Sequence, residues 1–173
     1  FWDELTFFSK KQTHDLIEGI EKSGLKFFWT ASCRGNLFTN KDMDLLKRIK
    51  AAGCVGLGYS LESANLDILK KMNKKLDPND FIKQKIALDE AGIITWTSLV
   101  IGYPEETEET INQTFNLCFE NDIYPSAGFL LPQPGTPIYQ YCLENNIITD
   151  EEEYFLDMGD RQDLRINMTS IPQ

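Results

Sequence analysis

The side chains of this sequence that could do chemistry stand where apolar runs end: Asp3 and Glu4, Ser32 and Arg34, Glu62 and Ser63, Ser98, Tyr103 and Glu105, and Gln133. Carboxylates, hydroxyls and a guanidinium in that mixture suit hydrogen bonding and ion pairing to a polar ligand. They do not compose an activated nucleophile. The lone His14 sits beside Asp15 early in a helix and reads as surface, which leaves no Ser/His/Asp or Cys/His set. Cys33, Cys54, Cys118 and Cys142 lie 21, 64 and 24 residues apart, without the close pair or triplet that builds zinc or iron-sulfur sites. They read as reduced, mostly buried thiols.

Each of these residues also has a plainer use. Glu62 fits a helix cap as well as a ligand contact. Ser32 and Ser98 could be satisfied by backbone. Lys74, within KKMNKK, could be a solvated charge. Pro132, Pro134, Gly135 and Pro137 fit a rigid turn leading into a helix around 138–143.

The elements that must position these groups repeat. EKSGLKFFW, KAAGCVGLGY, DEAGIITWTSLV and FENDIYPSAGF each pass from a residue suited to a left-handed helix cap straight into an apolar run, the caps being Gly24, Gly53, Gly92 and Asn121. Their spacings of 29, 39 and 29 residues are close to one strand-plus-helix unit, and the longest leaves room for an extra short helix. Helix starts are signalled at Ser9 with Gln12, at Thr39 or Asn40, at Asp77 with Pro78, and at Thr107 followed by Glu108 and Glu109. Core faces are expected from Leu16, Ile17 and Ile20; Leu45, Leu46, Ile49 and Ala52; Phe81, Ile82, Ile86 and Leu88; and Ile111, Phe115, Cys118 and Phe119. The runs at 27–32, 55–61, 94–101 and 124–131 show little strict alternation, as parallel strands covered by helices do. The fold class is therefore α/β; a barrel-like arc and a doubly wound sheet both satisfy the pattern. In either, right-handed connections bring the polar strand ends to one rim, where ligands bind.

With 173 residues, 42% of them hydrophobic, the chain has enough for one core. A net charge of -10 without a basic tract disfavours nucleic acid and anionic membranes. No apolar run approaches a bilayer span and FWDELTFF lacks signal-peptide character, so a cytoplasmic setting is expected. The chain begins at Phe1 without an initiating Met, which reads as a cut through a larger protein.

At these rims the sequence resembles the radical S-adenosylmethionine (SAM) superfamily, most closely the part that follows a cobalamin-binding domain in B12-type members. The resemblance is carried by DELTF at 3 to 7, AAGC at 51 to 54, LES at 61 to 63, ILKKMNK at 68 to 74, SLVIGYPEET at 98 to 107 and LPQPGTPIY at 131 to 139. IGxPxET is moderately specific and the others less so; the ordered set covers nearly the whole chain. It implies a partial TIM-like (βα)6 barrel, a parallel sheet flanked by helices, of which this chain holds about strands 2–6. Residues 1–146 would form that part and 147–173 a C-terminal helical extension. The implied chemistry is reductive SAM cleavage by a [4Fe-4S] cluster, giving a 5'-deoxyadenosyl radical that takes hydrogen from a small-molecule substrate in a deep, apolar-walled mouth. Cobalamin would take part in the B12-type members.

Carried over by position, the resemblance puts Ser32 near the methionine part of SAM and Glu62 at its ribose or methionine end. It puts Lys74 against the SAM carboxylate and Ser98 on the ribose. Ile101 and Gly102 would line the adenine, and Leu131 to Gln133 would close the pocket. Two departures stand out: Ser60 replaces a common Gly, and Gly-Tyr-Pro-Glu-Glu replaces Gly-x-Pro-Gly-Glu. No C-x-x-x-C-x-x-C is present, so the chain alone is expected to hold no cluster and to turn nothing over. B12-dependent methyl transfer or oxidative cyclisation is the first reading. A methylthiotransferase acting on tRNA or a ribosomal protein is the second, and a non-catalytic α/β binding module the third. An unpaired sheet edge predicts self-association.

Overall fold

The fold comes from a computed structural model that describes residue 1, residues 3–158 and residues 164–172. Four parallel strands, β1 (Trp29–Ser32), β2 (Cys54–Glu62), β3 (Ile94–Ile101) and β4 (Pro125–Phe129), lie side by side in chain order. Between them run α1 (Lys10–Ser23), α2 (Met43–Ala51), α3 (Leu66–Lys71), α4 (Pro78–Glu90) and α5 (Glu108–Glu120), followed by α6 (Pro137–Glu144) and α7 (Glu151–Asp157). The short helix expected in the longest repeat is α3. Ahead of β1, the segment read as a strand end is reduced to one parallel bridge, Phe7 to Cys33. The part of the acidic tail at 159–163 lies outside the described residues.

Local signals explain the helix starts. Ser9, Thr39, Asp77 and Thr107 each accept a backbone N–H of the following first turn, and Thr39 does so through a 3-10 turn, Asn40–Asp42, that runs into α2. Gly24, Gly53 and Gly92 take positive φ after their helices. At Gly53 (φ 99°) a Cβ would also meet Phe27 O at 2.0 Å, so no other residue fits. The fourth stop differs from expectation. Asn121 stays at φ -118° and Asp122 turns left-handed at φ 52°, because the Asn121 amide donates back to Leu117 O and Ile123 N reaches Cys118 O.

The helices cover one face of the sheet. Trp29 and Ala31, Leu57, Tyr59 and Leu61, and Leu99 point into a core shared with Ile17, Leu46, Ile49, Phe81 and Leu88. The other face is open, with Ile94 69% and Trp96 46% exposed, so β3 alternates and is not covered on both sides. Ile86 and Phe119, read as core positions, are exposed. Each lies five residues from a buried one, Phe81 or Thr114, and at 3.6 residues per turn swings about 140° away. A second small cluster joins Tyr139 and Cys142 of α6 to Ile148, Tyr154 and Met168.

Candidate functional site

The open face and the carboxyl ends of β1, β2 and β3 enclose a cavity of about 790 Å³, large enough for a nucleoside-sized ligand with room beside it. Ser32, Lys74 and Ser98 line it, together with Ser60, Arg34 and Trp96. Its wall mixes apolar groups, Leu5, Leu76 and the Trp96 indole, with hydroxyl-bearing and charged side chains.

Lys74 organises one side. Its Nζ donates to Glu62 Oε1 and to Ser60 Oγ, both at 2.8 Å. Glu62 closes β2 at a bulge, where Ser60 still opposes Ser98 but Glu62 opposes Leu99, and its backbone sits in the left-handed region at φ 65°. A non-glycine residue there is strained, and such strain collects at ligand sites. The capping use of Glu62 is excluded by Asn65, whose Oδ1 accepts Asp67 N and Ile68 N to start α3. Ser63 is fully buried, and its hydroxyl lies against Thr114 and accepts Asn65 N; it belongs to the packing. Ser60, the departure from a common Gly, is the second acceptor for Lys74.

Ser32 is spoken for by backbone. Its Oγ lies 2.9 Å from Asp3 O and 3.0 Å from Glu4 O, and accepts Thr6 N, which fastens the N-terminal segment to β1. Ser98, half-buried on the cavity wall, has no hydrogen-bond partner for its hydroxyl among the described residues. Trp96 lies flat over Gly56 and Gly58: a Cβ at Gly58 would come within 2.2 Å of the indole Nε1 and one at Gly56 within 2.8 Å of the ring. The two glycines make the ring's berth, and Trp96 was not among the residues read as a site.

The remaining expected residues stand along the rim beyond this cavity. Ile101 O accepts Leu130 N at 2.7 Å, and Gly102 turns at φ 104°, a conformation that requires glycine. The carboxylate of Glu106, 2% exposed, accepts Gly102 N at 2.7 Å and Tyr103 N at 3.1 Å. Burial pushes its pKa up, and the two N–H groups work against that. Glu106 holds the Gly-Tyr-Pro turn, whereas Glu105, the acidic residue assigned to the rim, pairs outward with Lys71 at 3.0 Å. Tyr103 OH donates to Lys71 O. Gln133 is exposed, and among the described residues only its carbonyl is engaged, by Thr136. Thus Ser32, Lys74 and Ser98 share one cavity with Glu62 tied to Lys74, while Ile101, Gly102 and Gln133 stand apart from it.

Gln84 is a second residue that sequence reasoning passed over. It is fully buried on α4, where its Oε1 accepts Leu37 N and Phe38 N and its Nε2 donates to Arg34 O at 2.8 Å. One amide thus pins the whole loop after β1. A polar residue within the Phe81–Leu88 face was the available signal.

The cysteines do not fit an iron-sulfur cluster. All four are free and buried, and burial raises their thiol pKa values, that of Cys54 to about 11. Among the described residues no group of three or more His, Cys, Asp or Glu side chains could hold a metal ion. The cavity is large enough for SAM, and the Lys74 ammonium, oriented by Glu62, and the Ser98 hydroxyl on its wall are groups that could hold it. No described helix is long and apolar enough to cross a membrane.

The chain is 32% identical over 149 residues to an uncharacterized methyltransferase of Pyrococcus horikoshii, covering 86% of this chain and 32% of that protein. It is 28% identical over 145 residues to a bacteriochlorophyllide d C-12(1)-methyltransferase of Chlorobaculum tepidum, covering 81% and 30%. It is 29% identical over 179 aligned positions to a tRNA-2-methylthio-N(6)-dimethylallyladenosine synthase of Tropheryma whipplei, covering 99% and 36%. The chain therefore spans about a third of the length of these relatives. In fold it is similar to TsrM, the radical SAM methyltransferase of Kitasatospora setae solved with cobalamin and a [4Fe-4S] cluster, at a TM-score of 0.63, 21% identity, and 79% and 26% coverage. Coproporphyrinogen III oxidase of Escherichia coli gives a TM-score of 0.60 at 16% identity, covering 84% and 37%. That likeness makes the four-stranded sheet part of a TIM-like barrel arc rather than a doubly wound sheet. The family model described as Radical SAM superfamily matches residues 6–118, and the chain accordingly belongs to the radical SAM superfamily.

Proposed function

We propose that this chain is the SAM-binding wall of a radical SAM enzyme that transfers a methyl group to a small molecule with the help of cobalamin. The observation that carries the reading is the Lys74–Glu62–Ser60 cluster, a lysine held by two acceptors at the mouth of a nucleoside-sized cavity. When bound, SAM and a cluster would supply reductive carbon-sulfur cleavage and hydrogen-atom abstraction. This chain's own residues have other tasks. Lys74 holds the SAM carboxylate by a charge-assisted bond while Glu62 fixes the direction of its ammonium. Ser98 offers a hydroxyl to the ribose. The Gly102 turn, held by Glu106, presents backbone to the adenine. The buried thiols of Cys33, Cys54, Cys118 and Cys142 are not the cluster's ligands in this reading.

Methyl transfer is favoured by the two methyltransferase relatives and by the cobalamin-bound neighbour in fold. The second reading, methylthiolation, has its support in the Tropheryma whipplei relative, which aligns with 99% of the chain. The net charge of -10 weighs against a tRNA substrate. A cytoplasmic setting accompanies either reading. The open edge at residues 5–8 is where two copies of the chain would associate, which light scattering across a concentration series reads.

Calorimetric titration with SAM tests the assignment. Lys74→Ala and Glu62→Ala should each weaken binding by about tenfold or more, as expected for losing a charge-assisted contact. Binding like that of the wild type in both variants would remove the site, and would leave the plain binding module as the better description.

A further inference from the structure

We infer that the part of the cavity not assigned to SAM takes a planar, apolar ring system bearing an acidic group, with Trp96 as the platform for the ring and Arg34 and Lys75 as the anchors for the acid. The inference rests on the SAM reading for the nature of the cavity and adds the substrate class that fits beside it.

The platform comes first. Trp96 lies on Gly56 and Gly58 so closely that neither position could carry a side chain without moving the ring. One face of the indole is thereby used up against β2, while the residue stays 46% exposed and lines the cavity. An aromatic ring seated rigidly on backbone, with its second face uncovered, loses little entropy when another flat ring stacks on it. Leu5 and Leu76 also line the cavity and add apolar surface that suits such a ring.

The anchors come from charge. Of the ionisable residues lining the cavity, Arg34, Lys74 and Lys75 are cationic and Glu4 alone is acidic, in a chain whose net charge is -10. Lys74 is committed to Glu62 and Ser60. Arg34 and Lys75 are exposed, and their charged heads have no hydrogen-bond or ion-pair partner among the described residues. Their backbones, by contrast, are fixed: Arg34 N donates to Phe7 O and Arg34 O accepts from Gln84, while Lys75 O accepts Asn36 Nδ2 at 3.2 Å. Gly35 presses the same loop down, since a Cβ there would lie 3.3 Å from Ser60 O and 3.2 Å from Phe81. Two free cations on anchored backbone at the mouth of a cavity, in an otherwise acidic protein, select an anion. The planar guanidinium of Arg34 suits a carboxylate or phosphate by a two-point contact.

The test uses the 173-residue chain, with 1-naphthaleneacetate and its uncharged analogue 1-naphthaleneacetamide as probes and SAM titrated in parallel. The acid should bind about tenfold more tightly than the amide, the scale of one charge-assisted contact. Arg34→Gln and Lys75→Gln should each weaken the acid by several fold, leave the amide unchanged, and leave SAM affinity unchanged. Trp96→Ala should weaken both probes. Trp96→Phe should restore part of the loss, which separates stacking from a damaged fold. Equal binding of acid and amide, no binding of either at low-millimolar concentration, or a loss of SAM affinity in place of acid affinity in the Arg34 and Lys75 variants would overturn the inference. If SAM binding is insensitive to Lys74→Ala while the probe pattern holds, the SAM assignment fails and the acidic-ring site stands.

Discussion

Gly58 and Trp96 face each other across β2 and β3 so closely that a Cβ at position 58 would sit 2.2 Å from the indole nitrogen. The pair is a lock: the glycine makes the berth and the ring fills it. Gly58→Ala should therefore destabilise the chain by about 2 kcal/mol, the usual scale of overpacking. In a Trp96→Ala background the same substitution should cost far less, and thermal unfolding of the four variants in a double-mutant cycle measures the coupling. Additive effects would mean that the ring moves freely aside.

Glu62 is held at φ 65°, where glycine would be at ease. Glu62→Gly should relieve about 1 kcal/mol of backbone strain while giving up a partly exposed ion pair worth less than that, so stability should change by no more than about 1 kcal/mol. SAM affinity should nevertheless fall by about tenfold or more, because the Lys74 ammonium loses its director. Calorimetry and thermal unfolding of one variant separate the two roles.

Replacing Gln84 by Leu keeps the volume and removes the amide. Leu37 N and Phe38 N would be left buried without partners, a loss of roughly 3 kcal/mol read by urea unfolding. The loop carrying Arg34 should become faster to exchange its amide hydrogens, while those of β3 keep their protection relative to global unfolding.

Glu106 gives the fold a pH dependence. Its pKa is raised by burial, so the protonated form is the one the folded state favours. That stabilisation is complete below the ordinary glutamate value of about 4.5 and is lost as pH rises through the folded-state value. In Glu106→Gln the amide oxygen can accept the same two N–H groups without ionising. The melting temperature of the variant minus that of the wild type should therefore increase between about pH 4 and about pH 8, and a flat difference would contradict the assigned cause.

The thiols should be inert. With Cys54 pushed up to about 11 and Cys33 higher, iodoacetamide at mildly alkaline pH should modify none of the four in the folded chain and all four in urea. Anaerobic treatment of the chain with iron and sulfide, followed by desalting, should leave no bound iron. Retention of four irons per chain would show that cysteines buried here can be recruited.

Much of this fold was legible from local chemistry. Ser9, Asp77 and Thr107 cap the helices they were expected to start, and Gly24 and Gly92 stop theirs, because cap geometry involves only residues three or four apart. The Lys74–Glu62 bond spans twelve residues and was approached only through family resemblance. Gln84 acts on residues 46 to 50 positions away, so no local pattern marks it. Trp96 becomes meaningful only once the register sets it opposite Gly58. The choice between Glu105 and Glu106 turned on which of two neighbours folds back under the turn, a matter of backbone path that composition does not encode.

The bulge that closes β2 has one more consequence. It sets Leu61 as a supernumerary rung between Ser60 and Glu62, so the strand tip runs out of step with β3 by a single position. Sidedness along a strand alternates with every residue, and a change in length there by one would swap which of the last side chains meets the lumen and which meets the helices. The tip of β2 is thus tolerant of spelling but intolerant of counting: insertions or deletions would have to come in pairs to leave an acid facing Lys74.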